Sequence, residues 1–254
     1  MIRRARIIPI LLLRGDGLVK TQGFQKSVYV GDPINAAKIF NDSEVDELIV
    51  LDISPEAAEK GPNFEKLGEL ATECFMPVCY GGGVRSLWQV ERLFALGFEK
   101  VAFNTALVKT PALVGEASRV FGASSIVASI DVRRKMFGRL EVMTAGGREA
   151  TGLDPVAHAR QAVERGAGEI LLTSIDQEGG RKGYDLKLVQ AVRAAVEVPI
   201  VAHGGAGRLE DMRDAITAGA SAAAAGSLFV FHGRLNGVLI NYPTQADLRR
   251  LLHA

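Results

Sequence analysis

Short apolar runs alternate with amphipathic stretches along the whole chain. The runs cover residues 6–13, 47–53, 78–80 and 100–103, then 126–131, 169–174, 199–202 and 222–225. They are apolar without alternation, as strands of a parallel sheet covered on both faces must be. Helical patterns lie between them, at 32–41, 64–73, 87–96, 155–165, 186–195 and 209–218. The rhythm predicts an α/β chain of eight strand–helix units, a (β/α)8 TIM barrel. An open doubly wound sheet is the alternative, but its edges would break the equivalence of the two halves described next.

Three pairs of segments repeat at one spacing. VDELIVLDI (45–53) matches AGEILLTSI (167–175), with Glu47 opposite Glu169. MPVCYGGGVRSL (76–87) matches VPIVAHGGAGRL (198–209), with Pro77 opposite Pro199. LGFEKVAFNTALV (96–108) matches AGASAAAAGSLFV (218–230), with Gly97 opposite Gly219. Each pair is 122 residues apart. Chance likeness between glycine-rich segments would not keep one offset, so the barrel reads as a duplicated half. The expectation is one domain, 1–254, with half-repeats of about 1–122 and 123–254.

Composition narrows the function classes. The chain has 254 residues, 48% of them hydrophobic, and a net charge of +1. It is too apolar for disorder. Its near-zero charge argues against a nucleic-acid partner held by bulk electrostatics. The two cysteines, Cys74 and Cys79, lack disulfide-scaffold and zinc spacing and fit a reducing cytoplasm. The start, MIRRARIIPILLLRGDG, is basic and then apolar, like a signal peptide. Its apolar run contains Pro9 and meets Arg14 and Asp16 without a cleavage motif, so it reads as a buried strand. No run approaches the ~20 apolar residues of a membrane span.

In such barrels the chemistry collects at the C-terminal strand ends. Glycine runs follow the third strand (Gly81, Gly82, Gly83) and the seventh (Gly204, Gly205). Asn104 and Thr105 follow the fourth, and Gly226 and Ser227 the eighth. Such segments can form tight turns and nothing more. As two pairs at the 122-residue offset, they instead suggest two phosphate cradles on opposite sides of the barrel mouth, for a ligand with a phosphate at each end. Asp131 ends the fifth strand and is the acid–base candidate. Asp52 and Asp176 end the second and sixth, and Lys20 lies just past the first. Asp52 can equally cap the helix that follows it. Arg6, Glu47, Lys100 and Glu169 mark the starts of strands one, two, four and six, where they could form an ionic ring closing the barrel floor or merely be flanking surface charges. His158 and His253 read as helix-surface residues, and Trp88 and the phenylalanines as core. No histidine or cysteine spacing suggests a metal, no dinucleotide or Walker motif is present, and no cofactor is expected.

Taken together, RIIP at Arg6, GDP at Gly31, GGGVRS at Gly81, KVAFNTALV at Lys100, SID at Ser129, GAGEILLTSID at Gly166, GYD at Gly183 and HGGAG at His203 resemble HisF, the cyclase subunit of imidazole glycerol phosphate synthase. The resemblance runs nearly end to end. It implies a barrel that takes ammonia from a HisH-type glutaminase and adds it to a bisphosphorylated ribonucleotide. It implies phosphate binding at Gly82, Gly83, Asn104 and Thr105 and at Gly204, Gly205, Gly226 and Ser227. It further implies Asp131 as the catalytic carboxylate, substrate contacts at Lys20, Thr173 and Asp176, and an ammonia gate at Arg6, Glu47, Lys100 and Glu169. Two positions depart from the family pattern. Leu12 stands where the family has a first-strand Asp, and Gln177-Glu178-Gly179 where it favours Arg-Asp-Gly. The ILLL, YVGDPINA and CYGGG segments are similar to HisF paralogues of bacterial surface-polysaccharide (lipopolysaccharide) loci, which are thought to serve a sugar amidotransferase. Such a barrel would be an ammonia conduit and glutaminase activator.

Overall fold

The computed structural model describes residues 5–233 and 235–252, so His253 lies outside the described residues. The barrel strands are β1 (Arg6–Arg14), β2 (Leu48–Asp52), β3 (Val78–Gly81), β4 (Lys100–Phe103), β5 (Ile126–Arg134), β6 (Glu169–Ser174), β7 (Ile200–His203) and β8 (Ala222–Ala225). Each pairs in parallel with the next, and β8 returns to β1 from Arg6↔Ala222 to Pro9↔Ala225. The sheet is therefore closed, a (β/α)8 barrel as the strand rhythm predicts, and the open alternative does not occur.

The apolar runs are continuous because the strands are buried on both faces. Ile7 and Leu11 of β1 point outward, into a core shared with Phe40, Phe103 and Phe229. Ile8, Ile10 and Leu12 point inward, against Ile49, Cys79, Val127, Leu171 and Val201. The helices start at side-chain caps that satisfy otherwise orphaned N–H groups. Asp32 accepts from the Asn35 amide, Asn63 from Lys66, Asp154 from Val156 and Ala157, and Asp185 from Leu188. Observed helices such as Phe64–Ala71 and Leu186–Arg193 stop two residues short of the sequence pattern.

Two features were not foreseen. After Arg14 the chain turns at Gly15 and runs back antiparallel on β1 as Gly17–Lys20, pairing Leu12 with Val19. The far end of β5 is likewise doubled by Leu140–Thr144, which pairs Asp131 with Met143. Both hairpins raise walls around the C-terminal end of the barrel.

Two readings need correction. Trp88 is not core but 61% exposed, in the first turn of Leu87–Ala95, edge-on to Phe64 at 5.3 Å. Phe75 and Phe137 are exposed as well. His158 is not on the helix surface. It shares a buried stripe with Pro155, Ala159 and Ala162, the i, i+3, i+4, i+7 face of its helix.

The 122-residue spacing recurs in the backbone. β3 and β7 are shifted by that number, as are β4 and β8. Gly82 has φ +140, and a Cβ there would lie 2.5 Å from the Asp52 carbonyl oxygen; Gly204 has φ +92, with the Ser174 carbonyl oxygen at 2.6 Å. Both turns thus press on the last residue of the neighbouring strand. Gly204→Ala should therefore cost ~1–3 kcal/mol from backbone strain alone, read as a lower urea midpoint with an unchanged slope. An unchanged midpoint would show that the turn relaxes freely.

Candidate functional site

The barrel presents chemistry at both ends and apolar side chains between. At the N-terminal end, inward parity brings four charges together. The Arg6 guanidinium donates to Glu47 and Glu169. Lys100 Nζ lies 3.0 Å from Glu47 and 2.7 Å from Glu169. Each cation thus contacts both anions, and both carboxylates are buried. Burial opposes the Arg6 and Lys100 charges, but the paired carboxylates outweigh it and hold both pKa values above their ordinary range. Above this ring the bore is lined by apolar groups, including Ile8, Ile49, Cys79, Val127 and Leu171. Burial pushes the Cys79 thiol up, so it is a packed, unreactive group.

At the C-terminal end the strands place Asp131, Thr173 and His203 side by side. Asp131 is the register partner of Thr173, and Thr173 that of His203. Thr173 Oγ1 lies 3.2 Å from His203 Nδ1 and sits beside Asp131, its register partner on β5. Asn104 Nδ2 donates to Asp131 Oδ2 at 3.2 Å and to the Ser129 carbonyl at 3.0 Å. Burial, opposed by the neighbouring Thr173 hydroxyl, pushes Asp131 up to about 7. Burial, with Lys20 adding to it, lowers His203 to about 3, so its ring is neutral at physiological pH.

Lys20 is buried, with Nζ against the Ile10 carbonyl, and burial lowers it to about 8 while Glu178 works to keep it charged. It borders a cavity of ≈ 20 Å³ together with Leu12, Glu178, His203, Gly204, Gly205, Gly226 and Ser227. One expected glycine cradle therefore gathers around a cation. On the other side Gly82 and Gly83 turn after β3. Asn104 and Thr105 are engaged there: the Asn104 amide faces Asp131, and Thr105 Oγ1 accepts from the Ala145 amide at 3.2 Å. The short helices beginning at Thr105 and Ser227 have no side-chain cap on their first N–H groups.

Some expected residues stand apart. Asp176 is exposed and accepts from the Arg134 amide at 2.7 Å, beside a cleft of ≈ 410 Å³ with Lys26 and Arg133. Asp52 is turned onto its own loop, accepting from the Ser54 amide and hydroxyl; the following helix is capped by Ser54, which accepts from the Ala57 amide, and not by Asp52 itself. Two mouth residues had no assigned role. Glu178 accepts from the Thr21 hydroxyl and the Phe24 amide and so ties the loop after Lys20 across the mouth. His203 is detectable in retrospect by parity, two residues beyond the inward Val201. Among the described residues no His/Cys/Asp/Glu group could hold a metal, and no helix is long and apolar enough to cross a membrane.

Comparison with known proteins agrees with this architecture. The sequence model of a family of histidine biosynthesis proteins matches residues 6–236. A Pseudomonas aeruginosa protein named as subunit hisF2 of imidazole glycerol phosphate synthase is 48% identical over 244 residues, 96% of this chain and 97% of its own. A Vibrio vulnificus protein named as subunit hisF3 is 42% identical over 98% of this chain and 96% of its own. The subunit HisF of that synthase from Streptomyces avermitilis is 42% identical over 89% of this chain and 90% of its own.

The chain belongs to the histidine biosynthesis protein family. Within this HisF-like barrel the departure at Leu12 acquires a location. Leu12 pairs with Leu51 and Asp131 with Thr173, and residues 51 and 173 are 122 apart. Leu12, 7% exposed, thus occupies in the first half the place Asp131 holds in the second.

Asp131 carries a testable cost. Its folded pKa lies above the unfolded value of ~3.9, so its contribution to stability is fully present below pH ~4 and is lost as pH rises through about 7. Asp131→Asn should therefore leave stability near pH 4 unchanged and raise it by up to ~4 kcal/mol at pH 8. Urea unfolding of both chains at the two pH values checks this, and an equal effect at both would remove the pKa shift.

Proposed function

We propose that this chain is a HisF-type synthase subunit that takes ammonia from a HisH-type glutaminase at the barrel floor. It delivers the ammonia to a substrate phosphorylated at both ends and bound across the mouth. One observation carries the reading: a closed ring of two cations and two anions at one end of an apolar bore, with Asp131 at the other. An apolar bore suits neutral ammonia, because an ammonium ion would lose its hydration without a partner. Arg6, Glu47, Lys100 and Glu169 act as the gate. The turns at Gly82–Gly83 and Gly204–Gly205, with the helix starts at Thr105 and Ser227, hold the two phosphates, and Lys20 adds a charge to the second. The relatives that are subunits of imidazole glycerol phosphate synthase by name support the same reaction class, closure of an imidazole ring.

A second reading has its own observation. Leu12 leaves the first-strand side of the mouth without a carboxylate. A barrel with one acid there can still pass ammonia onward and activate its glutaminase, serving a separate sugar amidotransferase.

The deciding measurement is single-turnover cyclisation of the histidine-pathway substrate with free ammonia, which bypasses the glutaminase. Loss of one member of an acid–base pair costs ~10²–10⁴-fold, so the native chain should be slower than a two-carboxylate HisF by that factor. Leu12→Asp should recover part of the rate. Native turnover at the full HisF rate would discard the conduit reading; no turnover in either chain would discard the cyclase reading.

The floor is tested separately. Lys100→Ala leaves Glu47 and Glu169 sharing one cation, which loosens the ring. In the complex with the glutaminase, glutamine hydrolysis should exceed product formation several-fold in this variant. Coupling equal to that of the native complex would show that the ring is not the gate.

A further inference from the structure

The mouth contains a polar chain of which the reading above uses only Asp131. Asp131, Thr173 and His203 occupy register-matched positions on three consecutive strands, β5, β6 and β7. The Thr173 hydroxyl stands between the other two, 3.2 Å from His203 Nδ1 on one side and next to its register partner Asp131 on the other. The His203 ring borders the cavity that also touches Leu12, Lys20 and Glu178. With Nδ1 engaged, Nε2 is the ring atom left to serve that cavity. The first half has nothing comparable, since Leu12, Leu51 and Gly81 fill the corresponding places.

A hydroxyl has one proton, so the direction of the chain is set by Asp131. When Asp131 is ionised, it accepts the Thr173 proton. Thr173 Oγ1 then accepts from His203 Nδ1–H, and Nε2 presents a lone pair to the cavity. When Asp131 is protonated, it donates to Thr173 Oγ1, the hydroxyl donates to Nδ1, and Nε2 carries the hydrogen.

We propose that Asp131, Thr173 and His203 form a proton relay, through which a proton accepted at His203 Nε2 in the mouth is delivered to the Asp131 carboxyl. An N–H bond forms at Nε2 as the substrate loses its proton. The Nδ1–H bond breaks as that proton passes to Thr173 Oγ1. The hydroxyl's former proton forms an O–H bond on Asp131. The imidazole is neutral before and after, with its tautomer exchanged, and one proton has crossed the mouth. His203 on its own is a poor base, because burial and Lys20 disfavour its cation. Through the relay it works at the basicity of Asp131, about 7, matched to neutral pH. The groups that bear on the relay are Lys20 from the first hairpin, Glu178 from the loop after β6 and Asn104 after β4. A second proton-transfer point thus sits on the β7 side of the mouth, whereas the β1 side has Leu12. Substrates whose leaving proton lies over β7 are the ones it serves.

The inference rests on the mouth being a reaction site, but its test needs neither substrate nor glutaminase. The full chain is labelled with ¹⁵N-histidine, and the His203 ring nitrogens are assigned by their loss in His203→Gln. Their tautomer is followed from about pH 5 to about pH 9, on either side of the Asp131 value of about 7. The expected result is an exchange of the protonated and unprotonated nitrogens with a midpoint near 7, and no doubly protonated ring in that range. Asp131→Asn should freeze one tautomer across the range, Thr173→Val should also remove the switch, and Thr173→Ser should restore it. A single tautomer throughout in the native chain, or a switch near 7 that persists in Asp131→Asn, overturns the relay. Because the readout is made on the free chain, a failed relay and a failed ammonia-transfer reading are separate results.

Discussion

Strand parity inside a closed barrel governs everything else in this molecule. Side chains alternate between two faces, and closure makes one face a common interior. Once β1 is in register with β2 and β8, Arg6, Ile8, Ile10 and Leu12 share that interior, as do Ile49 of the next strand and Glu47 just before it. A slip of one residue in a single strand would move its charge out of the floor ring and put an outward residue such as Leu48 in its place. The ring is therefore as much a consequence of register as of charge. Its four members come from four strands, and burial is tolerable for them because each carboxylate meets two cations.

Much of the fold was legible in the chain because a parallel barrel leaves a strong trace: apolar runs at even spacing and, here, a repeat at a constant offset. Positions fixed by backbone geometry were also readable. Gly82 and Gly204 are glycines because each turn presses against a carbonyl of the neighbouring strand. The hairpins after β1 and β5 were not anticipated. Their strands are short and lie outside the strand–helix rhythm, although the turn glycine Gly15 and the pair Gly146–Gly147 were there to be noticed.

The site was legible to the extent that parity and strand-end position determine it. Asp131 and the four floor charges follow from those two rules. Asp176 does not, because it lies beyond the end of β6, where alternation no longer holds and a backbone amide of Arg134 claims it. Glu178 gained its place through that same irregular turn, by bonding to a loop more than 150 positions away in sequence. Such a contact has no local signature. His158 shows the opposite error: helical periodicity placed it on the packing face, and its polar character suggested the surface.

The floor ring has a further property. Positive and negative groups alternate around it, Arg6, Glu47, Lys100, Glu169 and back to Arg6. Such a square has no net charge and almost no dipole, so its leading moment is a quadrupole. The field of a quadrupole dies away within a few ångströms, faster than that of any isolated charge. The ring itself thus neither draws ions from solution nor repels them. A small polar molecule, however, meets full-strength donors and acceptors once it is in contact. The ring is electrically silent at a distance and selective only at touch.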